Sequence, residues 1–64
     1  MTITECISLA RRQRRAIDAL TRDYLAGNWS VSGFREELNA LTNAFETTLR
    51  ILRENNRDEH GRKL

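Results

Sequence analysis

Leu25-Ala26-Gly27-Asn28-Trp29-Ser30-Val31-Ser32-Gly33-Phe34 decides the architecture, because it carries the end of one helix and the start of the next with only a corner between them. Gly27 follows a helix-periodic run, where the missing Cβ admits the left-handed conformation that satisfies the last carbonyls of a helix. Ser30 can accept from the free amides of the following helix, and Trp29 and Phe34 stand at the two positions of a hydrophobic staple around it. Ser32, preceded by Val31, is the competing cap; choosing it moves the boundary by two residues and leaves the turn intact. The reading is helix 1 over about 3–26, a turn over 27–30 and helix 2 over about 31–55, one hairpin spanning 1–56.

Upstream of the corner, Thr2 and Glu5 have the spacing of a capping box, so helix 1 starts almost at once. Ile3, Cys6, Ala10, Gln13, Ile17, Leu20 and Tyr24 then alternate steps of three and four, and Ile7 and Ala16 widen this seam. Cys6, Ala10 and Gln13 are small or polar for a seam; either the helices approach closely there or the seam is weak. Downstream, Phe34, Leu38, Leu41, Phe45, Thr48 and Leu52 repeat the pattern with larger side chains. An antiparallel hairpin sets Ala10 near residue 47 and Ile17 near residue 40, which lays Phe45 over Ala10 to Gln13. Past Leu52 the chain is polar on every face, so the helix is expected to fray near Asn55 or Asn56 and residues 57–64 to form a mobile polar tail with His60 solvated.

A chain of 64 residues makes one small domain, too small to offset ordering costs of about 1.5 kcal/mol per residue without help. Cys6 is the lone cysteine and His60 the lone histidine, which removes disulfides and leaves no structural metal site. Oligomerisation remains. Leu9, Leu49 and Ile51 lie outside the narrow seams, and together with Leu52 they are the expected dimer interface. The expected fold is all-α, an antiparallel two-helix hairpin dimerising into a four-helix bundle. With no apolar run long enough for a secretion signal or a membrane span, the expected setting is the cytoplasm, away from any membrane.

Catalysis needs a partner set held in a cleft, and Cys6, His60 and the carboxylates cannot assemble one on a hairpin with His60 in a tail. Glycine-rich phosphate loops, HExxH and CxxC motifs do not occur. The chain is therefore expected to be no enzyme, with no cofactor, metal or small-molecule substrate.

The formal charge is only +2, but ten of the eleven basic residues are arginine. Either planar, forked contacts or the codon usage of a GC-rich genome accounts for that bias. Arg11, Arg12, Arg14 and Arg15 are consecutive apart from Gln13, with Asp18 and Arg22 one and two turns on. Like-charge neighbours three and four apart cost a helix roughly 0.2–0.5 kcal/mol each, and Asp18 to Arg22 is the favourable pair. Something acidic should compensate: Glu46 of the same hairpin or Glu36 or Glu37 of a second copy, an acidic protein surface, or the phosphates of RNA or DNA. No aromatic is interleaved among the arginines for base stacking, and the corner is no helix-turn-helix. Tyr24 and Trp29 add aromatic groups at the corner, where Trp29 serves as staple or partner anchor. The expected partner-binding residues are Arg11, Arg12, Arg14, Arg15, Arg22, Tyr24 and Trp29.

In layout the chain is similar to the Rop family of plasmid copy-number regulators, helical hairpins that dimerise into four-helix bundles and bind RNA loops. The stretch LARRQRRAIDALTRDYLAGNWSVSGFREELNAL, residues 9–41, also resembles the short two-helix proteins that phages make to disable host factors. Among these is an anti-activator directed at a quorum-sensing transcription factor. That resemblance implies a stoichiometric inhibitor, a homodimer that docks on a host regulatory protein and keeps it from its DNA or from its own dimerisation. A homodimeric binder of RNA or DNA through the helix 1 arginines is the alternative.

Overall fold

The structure, a computed structural model, describes residues 2–64. It is all-α: α1 (Ile3–Leu25) and α2 (Val31–Glu54) pack against each other as a hairpin. Thr2 opens α1 with the full capping box, its Oγ1 accepting from Glu5 N at 3.1 Å while its own N–H donates to Glu5 Oε1 at 3.3 Å. Ser30, not Ser32, opens α2, accepting from Gly33 N at 3.0 Å. A Cβ on Gly33 would come within 2.9 Å of that hydroxyl, so glycine at this position leaves the cap its room.

Gly27 closes α1 at φ +85°, with its N–H donating to Tyr24 O and Asn28 N–H donating to Asp23 O, both at 3.0 Å. These two bonds make a Schellman motif. Nothing lies within 4 Å of a Cβ built there, so the left-handed conformation alone demands glycine. Asn56 repeats the motif at the end of α2, at φ 58°, with Asn56 N–H donating to Arg53 O and Arg57 N–H to Leu52 O. Asparagine tolerates this conformation better than most residues.

The core is narrow. Cys6, Ala10, Phe45 and Leu52 form its buried cluster, with Ile7, Ile17 and Leu49 packed against it, and Leu20 is buried nearer the turn. Phe45 thus joins the cluster containing Ala10, as small residues facing large ones require, and the close-approach reading of the seam holds. The Cys6 thiol donates to Thr48 O at 3.8 Å, and the buried Thr48 hydroxyl donates to Ala44 O at 3.1 Å. At the corner Phe34 stacks on Tyr24 with ring centroids 4.1 Å apart and planes 12° apart. Ile7 is half-buried, whereas Ala16 stands exposed outside the seam.

Leu52 is fully buried inside this single hairpin, so it cannot belong to a dimer interface, in contrast to the expectation from sequence. The stretch 57–64 also departs from the expected tail, because it closes into a loop. Arg57 pairs with Lys63, and Leu64 N–H reaches Asn56 O at 2.9 Å. At its centre Asp58 O accepts from Gly61 N at 3.0 Å, and the Asp58 carboxylate accepts from His60 N, Arg62 N and Arg62 Nε at 2.9, 2.8 and 3.0 Å. A chain polar on every face gains little by burying side chains, but it can still fold by satisfying its own backbone. Gly61 rests on Ile7: a Cβ there would lie 2.6 Å from Ile7 Cδ1.

The molecule measures 38 × 19 × 16 Å, and its radius of gyration of 13.3 Å exceeds the roughly 11 Å of a compact domain this long. Its accessible surface of 4778 Å² likewise exceeds the roughly 4,200 Å² expected for its mass. One defect lies within the seam, where Gln13 Oε1 is buried without a hydrogen-bond donor among the described residues. An unmet buried acceptor costs about 1–3 kcal/mol. Gln13→Met, which keeps the side-chain length and removes that acceptor, should therefore stabilise the hairpin by about 1 kcal/mol and raise Tm by roughly 4–8 °C in a thermal melt. An unchanged or lowered Tm would contradict this account of Gln13.

Candidate functional site

An α-helix turns 100° per residue, so Arg11, Arg15, Asp18 and Arg22 share one side of α1 and Arg14 borders it. All five α1 arginines are exposed. Arg14 Nε lies 3.6 Å from Asp18, and Arg14 Nη1 lies 3.6 Å from Glu59 of the 57–64 loop. Of the acids that could compensate the cluster, Glu46 makes no ion pair with it among the described residues and Glu59 pairs with Arg14, while Asp18 pairs backward with Arg14, not forward with Arg22. Among the described residues, Arg11, Arg12, Arg15 and Arg22 have no carboxylate within ion-pair distance. Internal pairing therefore compensates one arginine and leaves four.

Arg11, Arg14 and Arg15 line one wall of an open cleft of about 190 Å³, Glu59 and His60 line the other, and Ala10 and Phe45 contribute apolar surface beneath. His60 Nε2 lies 3.3 Å from Glu59 Oε1, so this histidine stands at the cleft edge. Arg12 points to a different side of α1, 100° from Arg11, and takes no part in this cleft.

At the corner the structure divides the aromatics. Tyr24 is half-buried in its stack with Phe34, whereas Trp29 is 38% exposed. Leu25 and Val31 are 78% and 60% exposed and make this end apolar. Sequence reading singled out neither as exposed apolar surface. The signal for Leu25 was present: it lies off the seam, three residues after Arg22, which puts it on the arginine side of α1.

The 57–64 loop also sorts the remaining apolar residues. It seats on Ile7, and its residues Arg57, Asp58, Glu59 and Leu64 border Leu49 and Arg53 around a second cleft of about 230 Å³. Residues two apart on a helix diverge by 200°, so Leu9 and Ile51 face away from Ile7 and Leu49. Leu49 is packed against the hairpin's own core beneath the loop, which separates it from Leu9 and Ile51 as an interface candidate. Ile51 remains 40% exposed and Leu9 half-buried.

Among the described residues no three His, Cys, Asp or Glu side chains come together as a metal site, and the Cys6 thiol is enclosed in the core. Among the described residues no helix is long and apolar enough to cross a membrane. Comparison with known proteins finds no matching family, no matching curated protein and no matching solved structure.

The loop that supplies Glu59 depends on Asp58. Desolvation acts to raise the Asp58 pKa, but hydrogen bonds from Arg62 N, His60 N and the Arg62 side chain outweigh it and hold the carboxyl below its ordinary value. A depressed folded value means that the stabilisation is present above the unfolded pKa and is lost as pH falls through the folded one. In an NMR titration the His60 and Arg62 amide resonances should move together, with a midpoint below that of an ordinary aspartate. A midpoint at or above the ordinary value would show that Asp58 does not organise the loop.

Proposed function

We propose that this chain is a small non-enzymatic regulator that binds a host protein, in the cytoplasm, and inhibits it by stoichiometric sequestration. The observation that carries this reading is the row Arg11, Arg15 and Arg22 on α1, which has no carboxylate within ion-pair distance among the described residues and ends at the exposed Leu25, Trp29 and Val31. Arginine and tryptophan are the residue types that dominate binding energy at protein interfaces. Arginine also forms two parallel bonds to one carboxylate, which suits an acidic protein surface. The resemblance of residues 9–41 to phage-made two-helix inhibitors points the same way, and a transcription factor is the kind of target it implies.

The active form in this reading is a homodimer. Leu9 and Ile51 lie on the side that the 57–64 loop leaves open, alongside Ala16 and Ala44, both exposed and small enough to let a second pair of helices approach closely. The thin core and the excess surface favour such a partner.

Binding by the arginine row is tested by exchanging Arg11, Arg15 and Arg22 for glutamine together. The expected result is loss of the captured host protein by at least about tenfold in affinity with Tm unchanged; retention of the partner would remove these residues from the site. If instead a labelled RNA binds, with affinity falling steeply between two salt concentrations, the nucleic-acid reading replaces the protein one. For the dimer, Ile51→Glu should convert a dimer to a monomer in sedimentation equilibrium, and a wild-type chain that is monomeric at micromolar concentration would refute it.

A further inference from the structure

The acid nearest the arginine row is the chain's own, and its manner of attachment is informative. Within the 57–64 loop nearly every polar bond is internal: the Asp58 carboxylate gathers three donors, Arg57 pairs with Lys63, and the Arg57 side chain donates to Gly61 O at 3.4 Å. The loop is therefore a self-supporting unit that leaves α2 through the left-handed Asn56. Its hold on α1, by contrast, is slight. One ion pair, Arg14 to Glu59 at 3.6 Å, joins them with side chains 57% and 35% exposed, and Gly61 rests on the flexible end of Ile7. No hydrogen bond links the loop to α1 among the described residues.

Beneath Glu59 the cleft has a composition that the loop does not use fully. Arg11 and Arg15 line it without a carboxylate, and Ala10 and Phe45 offer apolar surface. At about 190 Å³ it falls below the roughly 300 Å³ at which small-molecule sites begin, and is of side-chain size.

We propose that Glu59 is a built-in occupant of this cleft, which gives way to an acidic segment of a partner protein. A partner carboxylate takes the place of Glu59 and gains Arg11 and Arg15 in addition to Arg14, while a neighbouring apolar side chain enters against Ala10 and Phe45. This rests on the protein-binding reading above and names the chemistry of the partner: a peptide with an aliphatic residue beside a glutamate or aspartate. The group already paired with Arg14 at the cleft wall is a carboxylate on a peptide backbone, which favours such a segment over nucleic acid. An exposed ion pair is worth about 0–1 kcal/mol, so the loop competes without closing the site.

The test uses the full chain and a fluorescein-labelled peptide of alternating glutamate and leucine, followed by fluorescence anisotropy. Glu59→Gln removes the internal competitor and should tighten peptide binding by about two- to fivefold, the factor equivalent to an exposed ion pair. Gly61→Val, which unseats the loop from Ile7 without touching a charge, should tighten it in the same direction. Arg11→Gln with Arg15→Gln should weaken binding at least about fivefold, and in the wild-type chain the His60 and Arg62 amide resonances should shift when peptide is added. If the arginine variant loses affinity while Glu59→Gln and Gly61→Val bind as wild type does, the arginine row stands as a binding surface and the built-in occupant is wrong. If none of the variants changes affinity, both fall. Displacement of the loop by a labelled oligouridylate and not by the peptide would overturn the acidic-segment proposal in favour of RNA.

Discussion

Cys6 and Ala10 are small enough to let Phe45 and Leu52 of the opposite helix come in over them, and the rest of the structure depends on that close approach. Two parallel rods touch along a line, so each has only one stripe to bury, and bulk on one side must meet a gap on the other. The far end of the line is held by the Tyr24–Phe34 stack at the corner. Between these clamps Ile17, Leu38 and Leu41 are only half-buried, because a hairpin has no third element to cover them.

The 57–64 loop supplies a third element over part of the length. It seats on Ile7 and borders Leu49, so the half of the hairpin remote from the turn is enclosed on one flank, while the flank carrying Leu9 and Ile51 stays open. The two flanks of the molecule therefore differ in kind. One carries charge and a shallow cleft under a lightly held loop; the other carries alanine, leucine and isoleucine on regular helix. This difference separates a surface suited to acidic side chains from one suited to further helices.

Charge follows the same division. Arginines packed into little more than one turn of α1 oppose one another, and among the described residues the fold relieves that strain only at Arg14, between Asp18 and Glu59. Both contacts are 3.6 Å and solvent-exposed, so they tether side chains without neutralising the row. The electrostatic field of that side of α1 stays positive despite a formal charge of only +2 on the whole chain.

The hairpin was legible in the sequence because its determinants are local. Thr2 with Glu5, Gly27, Ser30 and the alternation of threes and fours act within one or two helical turns, and each was read at its position. The Phe45 and Ala10 pairing was also legible, since a tight corner leaves little freedom in register. What the sequence could not decide is where the chain goes after Asn56. Asp58 and Gly61 have the first and last positions of a tight turn, but polarity on every face disguised it. That loop is held by backbone bonds and by the Asp58 carboxylate, which leave no hydrophobic period to read. Its landing on Ile7 determines which flank is covered, which acid meets Arg14, and why Leu49 lies beneath a neighbour while Ile51 does not. Periodicity records which residues share a side of a helix; which side acquires a neighbour is settled by contacts between residues some fifty positions apart, and only the folded chain contains them.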